Sequence, residues 1–480
     1  MLSNLEVFVF MAANIEKLTA YLQPGKRVHL VGIGGVSMRP LGLVLQGMGI
    51  TVTGSDMNAS VSTDELIAHG IEVSIGHRAE NILGADCIVR TAAAHNDNPE
   101  IAAARAAGIP VFERAQAWGI IMRSYRNAVC ISGTHGKTTT TSMISLILEH
   151  AATDPTILVG GNLAEFNGNV KVGKSDYFVT EACEYMDSFL SLRPRIEIIL
   201  NIDSDHLDYF KDIDHITSSF QRFADLVPAN GTLIAYDANP FIQSILETVD
   251  CNVVTFGFSD CATYHADNIK FNAMGMPSFD VYCPDGFFGS VQLSVPGEHN
   301  IANSLAAIAC CHSLGVSPQS IISTLVNYTG TQRRFDVVGS TKDNVRIVDD
   351  YAHHPTEIKA TLSATKNIQH NKLWCLFQPH TYTRTMALFD EFAEAFADAD
   401  KLILAEIYAA REKNIYKISS KSLATEIKKR HPEKDVYFFD DFDDMASFVY
   451  NNADEGDLVL TMGAGDICKV AEMILDLDNK

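Results

Sequence analysis

Positive charge is scarce in this 480-residue chain: 37 lysines and arginines stand against 59 aspartates and glutamates, a formal net charge of −22. A general nucleic-acid binder needs a basic face, so that class is excluded. A local anion site is not, because a glycine loop and a few cations outweigh a distant acidic surface. Long apolar runs are also missing. None approaches the roughly 18 residues of a membrane span, so no membrane partner is expected. The segment 5–10 is apolar but has no basic flank and no small-residue cleavage site, which argues against a signal peptide. Met11 is an alternative initiator to Met1. The ten cysteines form no Cys-x-x-Cys pair, and a reduced, cytoplasmic setting fits that spacing. The adjacent Cys310 and Cys311 read as helix core. No internal repeat or low-complexity tract stands out.

With 47% hydrophobic and 20% charged residues the chain is globular, and its length exceeds a single core. Its most informative stretch is Gly133-Thr134-His135-Gly136-Lys137-Thr138-Thr139, directly after the apolar run Ala128-Val129-Cys130-Ile131. A strand, a glycine loop and a helix in that order aim several backbone N–H groups and a helix dipole at one point, which suits a phosphate chain. Lys137 is expected to reach the β/γ-phosphates and the Thr138 hydroxyl to ligate Mg²⁺. The pattern is a shortened P-loop, because Ile131 stands where the longer form has glycine. An ordinary glycine turn is the bland alternative, and the flanking strand and amphipathic helix count against it.

Around this loop the apolar periodicity predicts an α/β chain of three domains. Each is a mainly parallel sheet flanked by helices: a Rossmann-like unit over 1–126, a P-loop unit over 127–330 and a second Rossmann-like unit over 331–480. Strands are expected at 27–31, 50–53, 72–75, 87–91 and 110–112, then at 177–181 and 196–202. The third unit should hold strands at 346–349, 373–377, 401–406, 436–439 and 458–462. Alternating β-formers between 251 and 295 predict a small antiparallel patch, and Thr329-Gly330-Thr331-Gln332 reads as a hinge.

Other candidate residues follow strands. Gly32-Ile33-Gly34-Gly35, with Asp56 ending the second strand, suits a nucleotide diphosphate as well as it suits a tight turn. A dinucleotide fingerprint would need glycine where Ser37 stands, and a dehydrogenase would leave the 133–139 loop without a task. Glu181 ends a strand where parallel-sheet enzymes place Mg²⁺-binding acids. His206 sits among Asp203, Asp205 and Asp208, either a second cation site or a solvated acidic turn. Glu298-His299-Asn300 and Asn303 open a helix, and a plain cap is the alternative. His353-His354 and Gln378-Pro379-His380-Thr381-Tyr382-Thr383-Arg384 suggest a polar substrate wall.

Taken in order, these motifs resemble the Mur ligases of bacterial peptidoglycan synthesis: the phosphate loop, Glu181, Asp205-His206, His299-Asn300, Arg333-Arg334, Asp349-Asp350-Tyr351 and Gln378-Pro379-His380. The likeness runs from about residue 26 to 470. It is strongest with the alanine-adding branch, through His135, Gly32-Ile33-Gly34-Gly35-Val36-Ser37-Met38 and Asp350-Tyr351-Ala352-His353-His354-Pro355. The resemblance implies ATP-dependent amide formation between L-alanine and the lactyl carboxylate of UDP-N-acetylmuramate through an acyl phosphate, by a cytoplasmic monomer or homodimer. It assigns the sugar nucleotide to Gly32, Gly34, Gly35 and Asp56. ATP is assigned to Gly133, Thr134, His135, Gly136, Lys137, Thr138, Thr139, Asn300, Asn303, Arg334 and, at the ribose, Asp349. One Mg²⁺ goes to Thr138 and Glu181 and a second, bridging the acyl phosphate, to His206, while the amino acid and acyl phosphate go to His353 and Arg384. Catalysis is assigned to Lys137, Glu181, His206 and Arg384. Three positions depart from the family pattern. Gln221 stands where several relatives carry a carbamylated lysine, Thr381 where many alanine ligases have arginine, and Arg39 where a small residue is commoner. The alternatives are a recycling ligase that joins an intact peptide to the same sugar nucleotide, and an inactive nucleotide sensor.

Overall fold

The computed structural model describes residues 17–479 apart from Val36, Ala92, Asn167 and Arg411. The apolar 5–10 segment and the choice between Met1 and Met11 lie outside the described residues. Three sheets organise the chain. The first is parallel throughout, in the order Glu72–Ile75, Thr51–Asp56, Arg27–Val31, Cys87–Arg90, Val111–Glu113. Its strand order reverses between Arg27–Val31 and Cys87–Arg90, so the Gly32–Gly35 loop opens at the crevice where such sheets bind ligands.

The central sheet has ten strands. Its parallel core places Asn127–Ser132 between Ile196–Ile199 and Tyr177–Glu181. These strands are buried on both faces, as the continuous apolar runs Val129–Ile131 and Ile196–Ile199 require. The helix Lys137–His150 lies on one face beside Glu298–Ser313. Both helices are buried on nearly every side, and Cys310 and Cys311 are wholly buried, as a core role demands. Each fully buried leucine or isoleucine of these helices, such as Ile147 or Leu305, contributes about 1.5–3 kcal/mol of apolar burial. The antiparallel strands expected between 251 and 295 are Tyr264–Phe271, Pro277–Cys283 and Gly286–Gln292. They do not form a separate patch: Asn252–Gly257 pairs in parallel with Tyr264–Phe271 and joins them to the central sheet. The hairpin Thr156–Leu163 with Gly168–Lys171 extends the other edge and had no sequence forecast, since its glycines mask the alternation.

The third sheet runs Asp336–Ser340, Arg346–Asp350, Leu458–Met462, Leu373–Phe377, Lys401–Ala405, Asp435–Phe439, parallel except for its first strand. All ten cysteines are free. Among the described residues no helix is long and apolar enough to cross a membrane.

Candidate functional site

The carboxyl ends of the central and third sheets face one another, and nearly every residue singled out in the sequence lies between them. After Asn127–Ser132 the chain turns through Gly133 (φ +134°) and Gly136 (φ +84°), and the helix begins at Lys137. Glycine is required at 136, because a Cβ there would lie 2.5 Å from Asn303 Oδ1 and the backbone is left-handed. Asn201 holds the loop from below: its Oδ1 accepts from His135 N (2.8 Å) and its Nδ2 donates to His135 O (3.0 Å).

Lys137 is folded back onto its own loop. Its ammonium donates to the carbonyls of Gly133 and Thr134 and to both oxygens of buried Glu184, the nearer at 3.0 Å. Burial works against its charge, but Glu184 outweighs that and raises the pKa. Glu184 also stands 3.8 Å from His206 Nε2. Sequence reasoning missed it. A second glutamate three residues after Glu181, still beside a phosphate loop, was the available signal.

A cavity of about 540 Å³ opens beside the loop, walled by Asn300, Asn303, His299, Phe256, Arg334 and Asp350, among others. Asn300 Nδ2 donates to Pro296 O and Asn303 Nδ2 to Asn300 Oδ1, so the pair is held rigidly at the start of its helix. Asp349 was expected to face this space, and the structure corrects that. Its carboxylate is buried against Arg333 Nε (3.0 Å) and Thr461 Oγ1 (2.7 Å), while its neighbour Asp350 lines the cavity. Successive residues of a strand point to opposite faces, so a one-residue error exchanges wall for core. Burial pushes the Asp350 carboxyl up to about 6, even with Arg334 nearby.

On the other side of the loop a cleft of about 830 Å³ runs toward the first domain, lined by Lys137, Thr138, Glu181, His206, Arg334, His353 and, from the first domain, Arg39 and Glu65. Arg39 forms an ion pair with Glu65. Farther into that domain, Asp56 Oδ2 accepts from Gly34 N (2.9 Å) and closes the glycine loop, while Gly32 takes φ +81°. Glu181 Oε1 accepts from Gly160 N at 2.5 Å, and a Cβ on Gly160 would lie 2.8 Å from the carboxylate. Only glycine lets the backbone approach the Glu181 carboxylate this closely.

Side chains of the third domain complete the site. Arg384 donates from Nε to Asp205 Oδ1 (2.9 Å), from Nη2 to Asp205 Oδ2 (3.3 Å) and from Nη1 to His380 O (3.0 Å). Burial works against ionisation of Asp205, but Arg384 and then His206 outweigh it and hold the carboxyl far below its ordinary range. Arg384 is thus a clamp between domains as well as a cation beside the cleft. His353 is kept neutral by burial, its pKa lowered to about 4. Its Nδ1 lies 3.0 Å from Tyr351 O and 3.2 Å from Glu357 Oε2. Both neighbours are acceptors, so Nδ1 carries the proton and Nε2 keeps a lone pair. Thr381 sits at the start of the helix carrying Arg384 and lines a third space of about 210 Å³ with His206 and His380. Gln221 lies apart from these groups, bonded to Asp225 and Thr248.

His135, Asp203 and His354 place potential ligand atoms within 4.8 Å of one another. Their hydrogen bonds are already satisfied. His135 Nε2 meets Asp203 Oδ2 (3.2 Å), Thr356 Oγ1 donates to Asp203 (2.6 Å), and His354 Nε2 donates to Ser204 O (2.9 Å). Burial disfavours charge on His135, but Asp203 and Glu357 outweigh it and raise its pKa to about 9. The group is an ion-pair network across two domains.

The chain matches three family models. "Mur ligase family, catalytic domain" covers residues 27–126, "Mur ligase middle domain" 131–311 and "Mur ligase, glutamate ligase domain" 333–465. Relatives named UDP-N-acetylmuramate–L-alanine ligase include one from Alkaliphilus metalliredigens, 48% identical over 94% of this chain and 97% of its own. Another, from Caldanaerobacter subterraneus, is 48% identical over 96% and 99%. The solved UDP-N-acetylmuramate–alanine ligase of Thermotoga maritima aligns at a TM-score of 0.76 with 27% identity, covering 94% of this chain and 99% of that one. A murein peptide ligase from Psychrobacter arcticus aligns at 0.68 with 26% identity, covering 95% and 99%. Three domain models in sequence order, and full-length relatives at this identity, establish that the chain belongs to the Mur ligase family.

Proposed function

We propose that this protein joins L-alanine to the lactyl carboxylate of UDP-N-acetylmuramate with cleavage of ATP, in peptidoglycan precursor synthesis. The observation that carries the reading is the near-full-length identity to alanine-adding relatives, on a chain whose phosphate loop, Glu181, His206 and third-domain cations converge on one cleft.

In this reading the nucleotide base and ribose fill the 540 Å³ cavity, with Asn300, Asn303 and Asp350 as polar contacts and Arg334 toward the phosphates. The sugar nucleotide enters from the Gly32–Gly35 crevice along the cleft that Arg39 borders. A carboxylate oxygen of the sugar attacks the γ-phosphorus, ADP leaves, and an acyl phosphate forms. Lys137 releases Glu184 and follows the transferring phosphoryl group, where its charge counts most. The alanine nitrogen then attacks the carbonyl carbon, and phosphate departs as the amide forms. Neutral His353, with Nε2 unprotonated, suits an amine N–H, while Arg384 suits a carboxylate or the acyl phosphate. Thr138 and Glu181, a hydroxyl and a carboxylate lining the same cleft, are the hard oxygen donors that Mg²⁺ takes, and His206 would hold a second ion on the acyl-phosphate side. The ion when bound supplies charge neutralisation on the phosphates.

Phosphate release tests the function. It should require ATP, UDP-N-acetylmuramate and an amino acid together, with L-alanine preferred over glycine, L-serine and a tripeptide. Release driven better by the tripeptide would assign the recycling reaction instead. Release without the sugar nucleotide, or none at all, would remove the ligase reading.

A further inference from the structure

Glu357 has a position that the proposed chemistry does not use. It is the third residue of the helix Pro355–Thr365, half-buried, and it lines both the cavity beside the phosphate loop and the cleft. Its two oxygens face different ways. Oε1 lies 3.3 Å from His135 Nδ1, in the phosphate loop. Oε2 lies 3.2 Å from His353 Nδ1 and accepts from the backbone N–H of His353 (3.0 Å) and of His354 (3.3 Å). One carboxylate therefore joins a cation of the central domain to the imidazole of His353, which lines the same cleft.

We infer that Glu357 is a positioning residue that couples the phosphate loop to His353, joining Tyr351 O at His353 Nδ1 and steadying the ring with Nε2 as acceptor when His135 is in place. The inference rests on the assignment of the amino-acid site to the third domain. A cap alone would need only the two backbone N–H bonds. The additional contacts to two imidazoles from two domains are what a cap leaves unexplained. His135 in turn is fixed by Asp203 on its other nitrogen, so its ring cannot turn away from Glu357 without losing that partner too. Loop movement on nucleotide binding thereby reaches His353 through one shared side chain, a contiguous path of three residues.

The experiment uses the full chain with ¹⁵N-labelled histidine. In the wild type the His353 ring nitrogens should report an Nδ1–H tautomer, and their signals should move when a non-hydrolysable ATP analogue is added. In His135→Asn, with the analogue added to saturation of the variant, the His353 signals should no longer respond. Glu357→Gln should keep the Nδ1–H tautomer that Tyr351 O still holds, abolish its response to the analogue, and raise the apparent KM for L-alanine about tenfold, with a smaller change in kcat, a size usual for coupling between sites. The double variant should be no worse than Glu357→Gln by more than about twofold, because both changes cut the same path. An undiminished response of the His353 signals in Glu357→Gln or in His135→Asn, or single effects that multiply in the double variant, would overturn the coupling. Should Glu357→Gln fail to fold, the His135→Asn response alone decides. Absence of alanine-dependent phosphate release in the wild type would instead defeat the functional reading, and the tautomer measurement does not depend on it.

Discussion

Lys137 combines two demands that rarely coincide: it is buried, yet it must move. In the free protein its partners are two loop carbonyls and Glu184, so its charge is stored on a carboxylate rather than left bare in the cleft, where it would be costly. Lys137→Ala should leave the fold largely intact and lower turnover by at least about 10³-fold, the scale of lost charge stabilisation in phosphoryl transfer. Circular dichroism with steady-state phosphate release checks both halves, and near-normal turnover would place the ATP site elsewhere. Glu181 and His206 both line the cleft, but only His206 also borders the smaller space beside Arg384, and the two should separate in Mg²⁺ titrations. Glu181→Ala should raise the Mg²⁺ needed for ATP binding, whereas His206→Ala should leave ATP binding near normal and impair the later step. Equal loss of ATP affinity in both variants would remove that division of labour.

Among the elements, two short segments decide how the third domain meets the central one. The turn at 203–208 follows the strand Ile196–Ile199, and the helix Tyr382–Ala387 follows Leu373–Phe377. They are pinned together by the Asp205–Arg384 pair, whose side chains are 9% and 12% exposed. At that depth, removing one partner strands the other, at a cost of about 3–5 kcal/mol for a fully buried pair and less here because water reaches the edge. Arg384→Ala should therefore lower the melting temperature as well as raise the KM for L-alanine steeply, with the KM for UDP-N-acetylmuramate nearly unchanged. Arg384→Lys should recover most of the stability and little of the alanine affinity, since lysine pairs with Asp205 without the planar fork. Thermal denaturation beside kinetics with each substrate varied in turn decides it. Equal rises in both constants would move the amino-acid site.

Across the whole molecule, His135 makes stability depend on pH. Its folded pKa, about 9, lies above the ordinary 6.5, so the folded state holds a proton that the unfolded chain releases earlier. The contribution is fully present below about 6.5 and is lost as pH rises through about 9. Urea denaturation of the wild type should show its midpoint falling across that window, and His135→Asn should flatten the fall. A wild type and variant with parallel profiles from pH 6.5 to 9 would show that the imidazolium does not hold the two domains together.

Much of this architecture is legible along the chain. Apolar runs bounded by glycine loops mark parallel strands buried on both faces, and the placement of Gly133, Gly136, Lys137 and Thr138 follows from what a phosphate needs from a strand–loop–helix turn. Local chemistry of that kind depends on neighbours within a few residues, so the sequence by itself determines it, as it does the membership of the family through motifs spread from Gly32 to Arg384. Other features depended on the fold. Asp349 and Asp350 differ only in which face of a strand each side chain takes, and the register with Leu458–Met462 settled that. Glu184 reads as one more acid until the sheet brings it to Lys137, and Glu357 as a helix cap until packing carries it to His135, 222 positions earlier in the chain. Ion pairs between domains have no local signature, because their energy comes from burial and distance that only the assembled tertiary structure creates.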